Sequence, residues 1–367
     1  MLALIGALVG LDWLAVAPNR LLPGQPVSAW RALALGAALI PALAAVAEGF
    51  GLRGARVNGA VLLVVAIAIA WLGSGIAAAD LVRDRPASAR VILGPGFWIV
   101  SAGLLVLAVE QARAGPRWLP AALALSLALF VWGGFVLRAF DHLSLVVEYR
   151  ARAEALHDAL WRHLALAAAA LLIACAVTGP LGWAAFRSPR VETLANAVLG
   201  ITQVTPAIAL FGLLIPLLAA LVAAVPALRD LGIGAIGPAP ALIGVAAYLA
   251  LPLLRGLVSG LRSADPAAVE AARAMGFTEG RITREVRIPL ALPVLVGALR
   301  VAAVQSIGLV TLGGLIGAGG LGAIVFEGMA QFASDLILLG ALPVVALALL
   351  TDGALAAAVA RLEGRRR

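Results

Sequence analysis

Residues 263–289 of the chain read SADPAAVEAARAMGFTEGRITREVRIP. This stretch, here named the polar loop, separates two apolar windows at 239–260 and 289–316. A helix that crosses a bilayer needs about 20 mostly apolar residues, because the hydrocarbon layer is about 30 Å thick. Each window is long enough for that, whereas the polar loop carries charges at short intervals. The polar loop is therefore predicted to lie outside the bilayer, between two spanning helices.

Local signals divide the polar loop into two short helices. The dipeptide Asp265-Pro266 predicts a helix start, because Asp accepts bonds from free backbone amides and proline suits the first helical position. This helix is predicted to run to about Met275. Gly276 can adopt the left-handed conformation that ends a helix, and Thr278 predicts the cap of a second one. The second helix is predicted to end before Pro289.

The composition places the whole chain in a membrane. Hydrophobic residues make up 63% of it and charged residues only 13%, against roughly half and a quarter in soluble domains. All 27 basic residues are Arg, scattered between apolar runs without a contiguous basic face, so no nucleic-acid partner is expected. Without a lysine the chain has no Walker motif. ATP hydrolysis is therefore assigned to another polypeptide, and no catalytic residue, metal or cofactor is predicted.

Apolar windows predict an all-α polytopic protein of about ten transmembrane helices. Residues 1–140 form a front block, 141–162 an amphipathic connecting helix, and 163–367 a rear block that contains the polar loop. The first window is interpreted as a retained span, because it has no basic segment before it and no convincing cleavage site after it. The ten windows are 2–17, 31–47, 58–77, 91–109, 119–137, 163–184, 193–223, 239–260, 289–316 and 335–358.

The distribution of Arg orients the rear block. Its basic residues gather on one side: Arg187 and Arg190, the stretch from Arg255 to Arg300, and the tail Arg361 with Arg365 to Arg367. Basic residues in short loops stay on the cytoplasmic side. The polar loop is therefore predicted to be cytoplasmic. The front loops are nearly balanced, and the helix count alone places both termini in the cytoplasm.

The polar loop also carries a spaced motif. Two small residues allow a partner surface to approach closely, an acidic side chain offers a charge-assisted contact, and two short helices at a glycine elbow suit the transmission of rigid-body motion. The motif residues are Glu270, Ala271, Ala272, Gly276, Val286, Ile288 and Pro289. Their spacing resembles the EAA motif of ABC importer permeases, E-A-A-x3-G-x9-I-x-L-P, with Val286 and Ile288 as conservative departures. The alternative is an ordinary amphipathic loop helix.

The resemblance implies a transport subunit with several partners. In that family the loop is a coupling helix that docks into a cleft of the ABC ATP-binding subunit. A periplasmic or extracellular substrate-binding protein delivers the solute, and a second permease subunit, identical or paralogous, completes the pathway. The implied location is the bacterial cytoplasmic (inner) membrane, with a MetI-like permease core formed by the rear five helices.

Within this family, residues 141–362 are most similar to permeases for glycine betaine, choline and related osmoprotectants. The strings that carry the resemblance are QVTPAIALFGLLIP at 203–216, AVQSIG at 303–308 and IGAGGLG at 316–322. The front block resembles the extra N-terminal spans of longer osmoprotectant permeases. An importer for an amino acid or another small solute is the alternative. A secondary transporter and an intramembrane enzyme are less favoured, because clear inverted repeats and convergent catalytic groups are lacking.

Polar residues in the rear windows are candidates for the solute pathway. Gln203, Thr205 and Gln305 lie at membrane depth, where such groups either line a pathway or bond to another helix. Pro206 and Pro216 each remove a backbone donor and predict kinks. Aromatic faces attract quaternary ammonium groups, and those available in the core are Phe211, Tyr248 and Trp183.

Other features suggest packing or solvent contact. Gly317-x-Gly319-x-x-Gly322 matches a dinucleotide fingerprint by letter, but it ends a membrane helix and precedes another loop, so tight turning is favoured. The G-x-x-x-G pair Gly256/Gly260 is weak evidence for close helix approach. Asp12 and Asp352 sit in apolar windows, where function is the default hypothesis, although Asp352 could reach water. His142, His157 and His163 are expected to be solvated or interfacial.

Overall fold

The structure, a computed structural model, describes residues 2–19, 22, 24–86, 88–230 and 232–364. The tail residues Arg365, Arg366 and Arg367 lie outside these ranges. The described chain is mostly helical and divides into two compact units. Unit 1 comprises Met1–Arg152 with Gln331–Asp335, and unit 2 comprises Ala153–Ala330 with Leu336–Arg367. The predicted all-α polytopic class is confirmed, with a small sheet as an addition.

Unit 1 combines helices with a three-stranded antiparallel sheet. The sheet has the order β2-β1-β3, and Leu14 of β1 pairs with Val27 on one side and Leu93 on the other. The helices are α1 (Leu2–Gly10), α2 (Ala29–Leu33), α3 (Gly36–Leu52), α4 (Arg56–Val82), α5 (Pro95–Ala114), α6 (Leu119–Val136) and α7 (Ser144–Ala151). The strands are β1 (Leu14–Ala17), β2 (Gln25–Val27) and β3 (Arg90–Leu93).

The first apolar window does not form a spanning helix. Helix α1 ends at Gly10, and the chain then turns into strand β1. Gly94 and Gly96 donate backbone hydrogen bonds to the carbonyls of Trp13 (2.8 Å) and Asp12 (3.0 Å). These bonds and the sheet satisfy backbone groups that a helix would have paired internally. The exposed Asp12 therefore lies in a turn, and the hypothesis of a charge buried in a span is wrong.

Aromatic rings form the centre of unit 1. Trp13 and Phe97 are fully buried, with ring centroids 5.4 Å apart in an edge-to-face arrangement. The ring centroids of Trp71 and Phe97 are 4.9 Å apart, also in an edge-to-face arrangement. The Trp13 indole donates a 2.9 Å hydrogen bond to the Ser74 hydroxyl, which satisfies its polar group. Edge-to-face pairs add to simple burial, so this cluster stabilises the unit where the sheet meets α4 and α5.

Unit 2 consists of helices. They are α8 (Ala153–Arg187), α9 (Pro189–Val204), α10 (Ala207–Ala224), α11 (Ala227–Asp230), α12 (Pro238–Arg262), α13 (Pro266–Ala274), α14 (Glu279–Ile282), α15 (Ile288–Gly313), α16 (Leu321–Ala330) and α17 (Ser334–Gly364). A π-helical turn at Thr283–Arg287 joins α14 to α15, and a 3-10 turn at Gly314–Ile316 follows α15. The predicted connecting helix 141–162 is instead broken at Arg152: α7 ends before it, and α8 continues into a span.

Within the described ranges, eight helical segments are long and apolar enough to cross a membrane. They are Arg56–Val82, Pro95–Ala114, Leu119–Val136, Ala153–Arg187, Ala207–Ala224, Pro238–Arg262, Glu279–Ile316 and Ser334–Gly364. The five of the rear block overlap the five rear windows. In the front block, α3 is apolar but shorter than the other spans, and the first window is divided between α1 and β1. The count is therefore lower than about ten.

Helix α12 is the centre of unit 2 and packs on α8 and α15. A Cβ on Gly256 would lie 2.1 Å from the Cβ of Ala298 in α15, and one on Gly260 would lie 3.1 Å from the side chain of Leu295. A Cβ on Gly182 of α8 would lie 2.5 Å from Leu257. Small residues let helix backbones approach closely in a membrane. The pair Gly256/Gly260 thus serves helix packing.

The glycine-rich string after α15 forms a tight turn. Gly317, Gly319 and Gly320 all have positive φ, at 78°, 81° and 71°, which glycine adopts without steric cost. A Cβ on Gly322 would lie 1.9 Å from the Thr311 carbonyl oxygen. The string leads into helix α16 and not into another loop as expected, but tight turning and close packing are confirmed.

Candidate functional site

The polar loop folds into the two predicted helices around a glycine elbow. The Asp265 carboxylate accepts a 3.0 Å hydrogen bond from the Ala267 amide at the start of α13. The Thr278 hydroxyl accepts a 3.4 Å bond from the Arg281 amide at the start of α14. Gly276 between them has φ 81°. The two caps and the left-handed glycine are confirmed.

The second helix does not end before Pro289. Helix α14, the π turn and α15 are continuous from Glu279 to Ile316. In the π turn, the Ile288 amide donates to the Thr283 carbonyl, five residues back. Such a turn holds one extra residue and changes the hydrogen-bond pattern just before Pro289, which has no amide to donate. The polar loop is thus directly continuous with the membrane span.

A small apolar core holds the two short helices together. Val269, Ala272 and Ile282 are buried in it, with Ala272 only 2% exposed. Phe277 and Val286 pack against it from the edge. Ala272 and Val286 of the motif therefore stabilise the polar loop itself, because their side chains point into it.

The other motif residues face outward. Glu270, Ala271 and Gly276 are exposed, and nothing lies within 4 Å of a Cβ built on Gly276. Ile288 and Pro289 are also exposed, at the base of the span. The polar loop therefore has a shallow surface open to a partner. It is formed by the acidic Glu270, the small Ala271 and Gly276, which has no side chain.

Ion pairs brace the elbow. The Arg273 guanidinium of α13 lies 2.6 Å from the Glu279 carboxylate of α14. Arg281 lies 3.0 Å from Glu285 and 3.8 Å above the centroid of the Phe277 ring. Exposed pairs are individually weak. The Arg273–Glu279 pair joins the two sides of the elbow, so it restricts the elbow's angle more than it adds to stability.

A second polar cluster, not found from the sequence, connects α9 to the C-terminal half of α12. Arg262 makes a two-pronged ion pair with Glu192, at 3.0 and 2.6 Å, and Arg255 donates a 3.0 Å bond to Asn196. These four residues line an open cavity of about 540 Å³. The hydrogen bond from Arg262 lowers the pKa of the Glu192 carboxyl below its ordinary value. Residues about 60 to 70 positions apart make these contacts, so spacing gave no signal.

Three of the predicted pathway residues lie at a break in a helix. The window 193–223 is not one kinked helix, because α9 ends at Val204 and α10 begins at Ala207 after Pro206. The Gln203 amide donates a 2.8 Å bond to the Tyr248 carbonyl of α12. The Tyr248 hydroxyl donates to the Thr205 carbonyl, which the helix break has freed. Pro216, in contrast, lies inside α10.

This arrangement joins helix packing to a candidate pathway. Gln203 is exposed although its amide bonds to α12, and Thr205 is partly exposed. Non-helical backbone at membrane depth is tolerated where it is buried in protein or lines a wet cavity. Gln305 lies on α15 with its side chain partly exposed. Its grouping with the helix break remains a prediction.

The three aromatic candidates do not share one environment. Phe211 is 1% exposed and packs on Gly244, where a Cβ would lie 2.3 Å from its ring. Tyr248 is buried beside the helix break. Trp183 on α8 is exposed and lies 5.6 Å from the Arg187 guanidinium. Phe211 thus serves as a core residue.

Two further expectations are corrected. His163 is fully buried in α8, with its Nε2 atom 3.0 Å from the Ile307 carbonyl of α15, so it is not a solvated histidine. Arg300 does not belong to a cytoplasmic loop, because it lies within α15. Its guanidinium makes two 2.6 Å contacts with the Asp352 carboxylate of α17.

Comparisons with known proteins give family matches for both parts of the chain. Residues 176–364 match the family described as binding-protein-dependent transport system inner membrane component. Residues 1–146 match the family described as ABC transporter permease YehY, N-terminal domain. The first match covers just over half of the chain. The chain therefore belongs to the family of binding-protein-dependent transport system inner membrane components.

Curated relatives cover the rear half. The carnitine transport permease protein OpuCB of Listeria monocytogenes is 35% identical over 53% of this chain and 82% of that protein. The osmoprotectant import permease protein OsmW of Salmonella typhimurium is 37% identical over 52% of this chain and 84% of that protein. The glycine betaine/carnitine/choline transport system permease protein OpuCB of Bacillus subtilis is 32% identical over 53% of this chain and 82% of that protein.

A solved structure is also similar to part of the chain. The inward-facing MetNI methionine ABC transporter matches with a TM-score of 0.47 at 25% identity, over 56% of this chain and 95% of that one. Family membership defines a multi-pass permease subunit of an importer. It implies an ATP-binding partner, a substrate-binding partner and a membrane.

Proposed function

We propose that this chain is the permease subunit of an ATP-driven importer for glycine betaine or a related quaternary-ammonium osmoprotectant. The observation that carries the proposal is the shared chemistry of the solutes in the relatives' names. Carnitine, choline and glycine betaine all carry a trimethylammonium group. The match to residues 1–146 supports an importer of the longer kind, with its own front block.

The proposed partner at the polar loop is the ABC ATP-binding subunit, which hydrolyses ATP. The exposed Glu270, Ala271 and Gly276 offer it a surface, and the buried Ala272 keeps that surface rigid. Because the helix is continuous from Glu279 to Ile316, a displacement of the loop reaches the membrane span directly. Val286, Ile288 and Pro289 lie along this connection.

The remaining partners follow from the same proposal. A second permease subunit, identical or paralogous, faces this one across the pathway, and a substrate-binding protein delivers the solute from outside. The complex lies in the bacterial inner membrane with the polar loop in the cytoplasm. Gln203, Thr205, Pro206 and Gln305 line the pathway. The proposed domains of the chain are the front block 1–140, the connecting segment 141–162 and the permease core 163–367.

The test is solute-stimulated ATP hydrolysis by the complex reconstituted with its binding protein. Glycine betaine, choline and carnitine would be compared with a panel of amino acids. Stimulation by quaternary ammonium solutes alone is the expected result. Stimulation only by an amino acid would leave the importer class intact and overturn the solute.

A further inference from the structure

The Arg300–Asp352 ion pair joins α15 and α17, two helices that are long and apolar enough to cross a membrane. Arg300 is twelve positions beyond Ile288, the first residue of α15, which is about 18 Å along the helix axis. Asp352 is twelve positions before Gly364, the last residue of α17, again about 18 Å. Each charge therefore lies well inside its helix and not at the helix end. Apolar sequence surrounds them: LALPVLVGAL precedes Arg300 and GALAAAVA follows Asp352.

The pair remains partly open to its surroundings. The side chains are 37% and 41% exposed, although the guanidinium and the carboxylate meet in two 2.6 Å contacts. Charges inside a membrane are costly where they face lipid, and they almost always face protein or a water-filled cavity. The open side of this pair therefore faces a wet or protein-lined space.

Glycines keep space open beside both charges. Gly297 lies one turn before Arg300 on α15, and nothing lies within 4 Å of a Cβ built there. Gly353 follows Asp352 on α17, and its Cβ position is equally open. Gly308, on the face of α15 that carries Val301 and the partly exposed Gln305, is open as well. At Gly297 and Gly353, next to the charges, no other side chain of the described residues covers the helix surface.

The charges also match the proposed solutes. Glycine betaine and carnitine are zwitterions, with a carboxylate at one end and a quaternary ammonium at the other. A planar guanidinium binds a carboxylate through two parallel hydrogen bonds, and a carboxylate attracts a quaternary ammonium. In the empty site the two protein charges satisfy each other, which lowers the cost of keeping them at this depth.

We propose that Arg300 and Asp352 form a transient solute site in the pathway, in which a zwitterion replaces the ion pair and bonds to each charge by its opposite end. The inference rests on the proposed function, because it assumes quaternary-ammonium solutes. Such a site is electrically neutral, so it binds weakly enough to release the solute. A cation such as choline has no carboxylate and uses Asp352 alone.

The test compares glycine betaine with choline in uptake by the reconstituted complex. Arg300→Gln removes the partner of the solute carboxylate and leaves Asp352, so the ratio of betaine to choline kcat/KM is expected to fall at least tenfold. Asp352→Asn removes the partner of the ammonium and leaves Arg300, so the same ratio is expected to rise. Glu192→Gln, which breaks another inter-helix ion pair, is the matched control and should leave the ratio unchanged.

A purely structural pair gives a different pattern. If Arg300 and Asp352 only clamp α15 to α17 or contact a second subunit, both single variants lower the two uptake rates equally, and an unchanged ratio overturns the proposal. A native complex that carries neither solute overturns the proposed function, and the site with it.

Discussion

The Tyr248 hydroxyl of α12 donates a hydrogen bond to the Thr205 backbone carbonyl, at the point where α9 ends and α10 has not begun. Two residues before Thr205, the Gln203 amide donates to the Tyr248 carbonyl. Gln203 and Thr205 on one side and Tyr248 on the other thus bridge the gap between the two helices. The break is fixed in place by α12 and is not a loose hinge.

Removal of the Tyr248 hydroxyl should weaken this closure. In Tyr248→Phe the Thr205 carbonyl loses its partner, at an expected cost of about 1 kcal/mol or slightly more. Thermal unfolding of the purified complex measures the change. Thr205→Ser is the matched control, because the acceptor is a backbone carbonyl and remains. Equal stability of Tyr248→Phe and the native protein would show that the bond contributes nothing.

Glu270→Gln should uncouple transport from ATP hydrolysis. The exposed carboxylate is the proposed charged contact with the ATP-binding partner, and its loss is expected to lower solute uptake at least tenfold while membrane insertion stays normal. Uptake and ATP hydrolysis are measured on the same vesicles. Glu285→Gln is the control, because Glu285 pairs with Arg281 within its own helix. Unchanged uptake in Glu270→Gln would contradict the docking assignment.

Position 276, at the centre of the elbow, should accept only glycine. Gly276→Ala places a side chain at φ 81°, a strain of roughly 1–2 kcal/mol, although the space around it is open. Gly280→Ala is the matched control, because it also faces open space but lies within α14. The first variant is expected to lower uptake and the second to leave it unchanged. Equal behaviour of the two would show that the left-handed conformation is unimportant.

Gly322→Ala should be severely destabilising. Its Cβ would lie 1.9 Å from the Thr311 carbonyl oxygen, and neither backbone can move without separating α15 from α16. The expected loss exceeds about 3 kcal/mol, as for strong overpacking. Gly179→Ala on α8 faces open space and should be neutral or slightly stabilising. The yield and thermal midpoint of the two variants give the comparison.

The Glu192–Arg262 pair predicts a pH dependence of stability. Because Arg262 lowers the pKa of Glu192 in the folded protein, the carboxylate contributes stability above its unfolded pKa, and this is lost as pH falls through the depressed value. The stability difference between the native protein and Glu192→Gln should therefore be constant near neutral pH. It should shrink only below about the ordinary carboxyl value of 4.5. A difference that changes between pH 6 and 8 would rule out this origin.

Short-range signals explain why the polar loop was predictable. The caps at Asp265 and Thr278 and the left-handed Gly276 depend on neighbours within a few residues, and all three are confirmed. The prediction that the second helix ends before Pro289 was wrong. Val286 and Leu290, on either side of Pro289, pack against the apolar core of the polar loop, and this tertiary contact is not visible in the local sequence.

Long-range contacts explain the other differences. Strand β1 replaces part of a predicted span because it pairs with residues 90–93, more than seventy positions away. From the sequence, Arg300 and Asp352 were each placed near the cytoplasmic end of a helix, because a hydropathy window describes a single helix and gives no information on contacts between helices. Their pairing is visible only once α15 lies against α17.

The π turn at Thr283–Arg287 sets the helical phase of α15 relative to the polar loop. One residue turns an α-helix by about 100°, so the extra residue held in this turn rotates the face of the span that carries Arg300 and Gln305 by about that angle. The direction in which that face points therefore depends on the hydrogen-bond register of a single turn. This turn lies next to the surface of the polar loop that is proposed to bind the ATP-binding subunit. A shift of that register by one residue would redirect the face while the helix stayed intact.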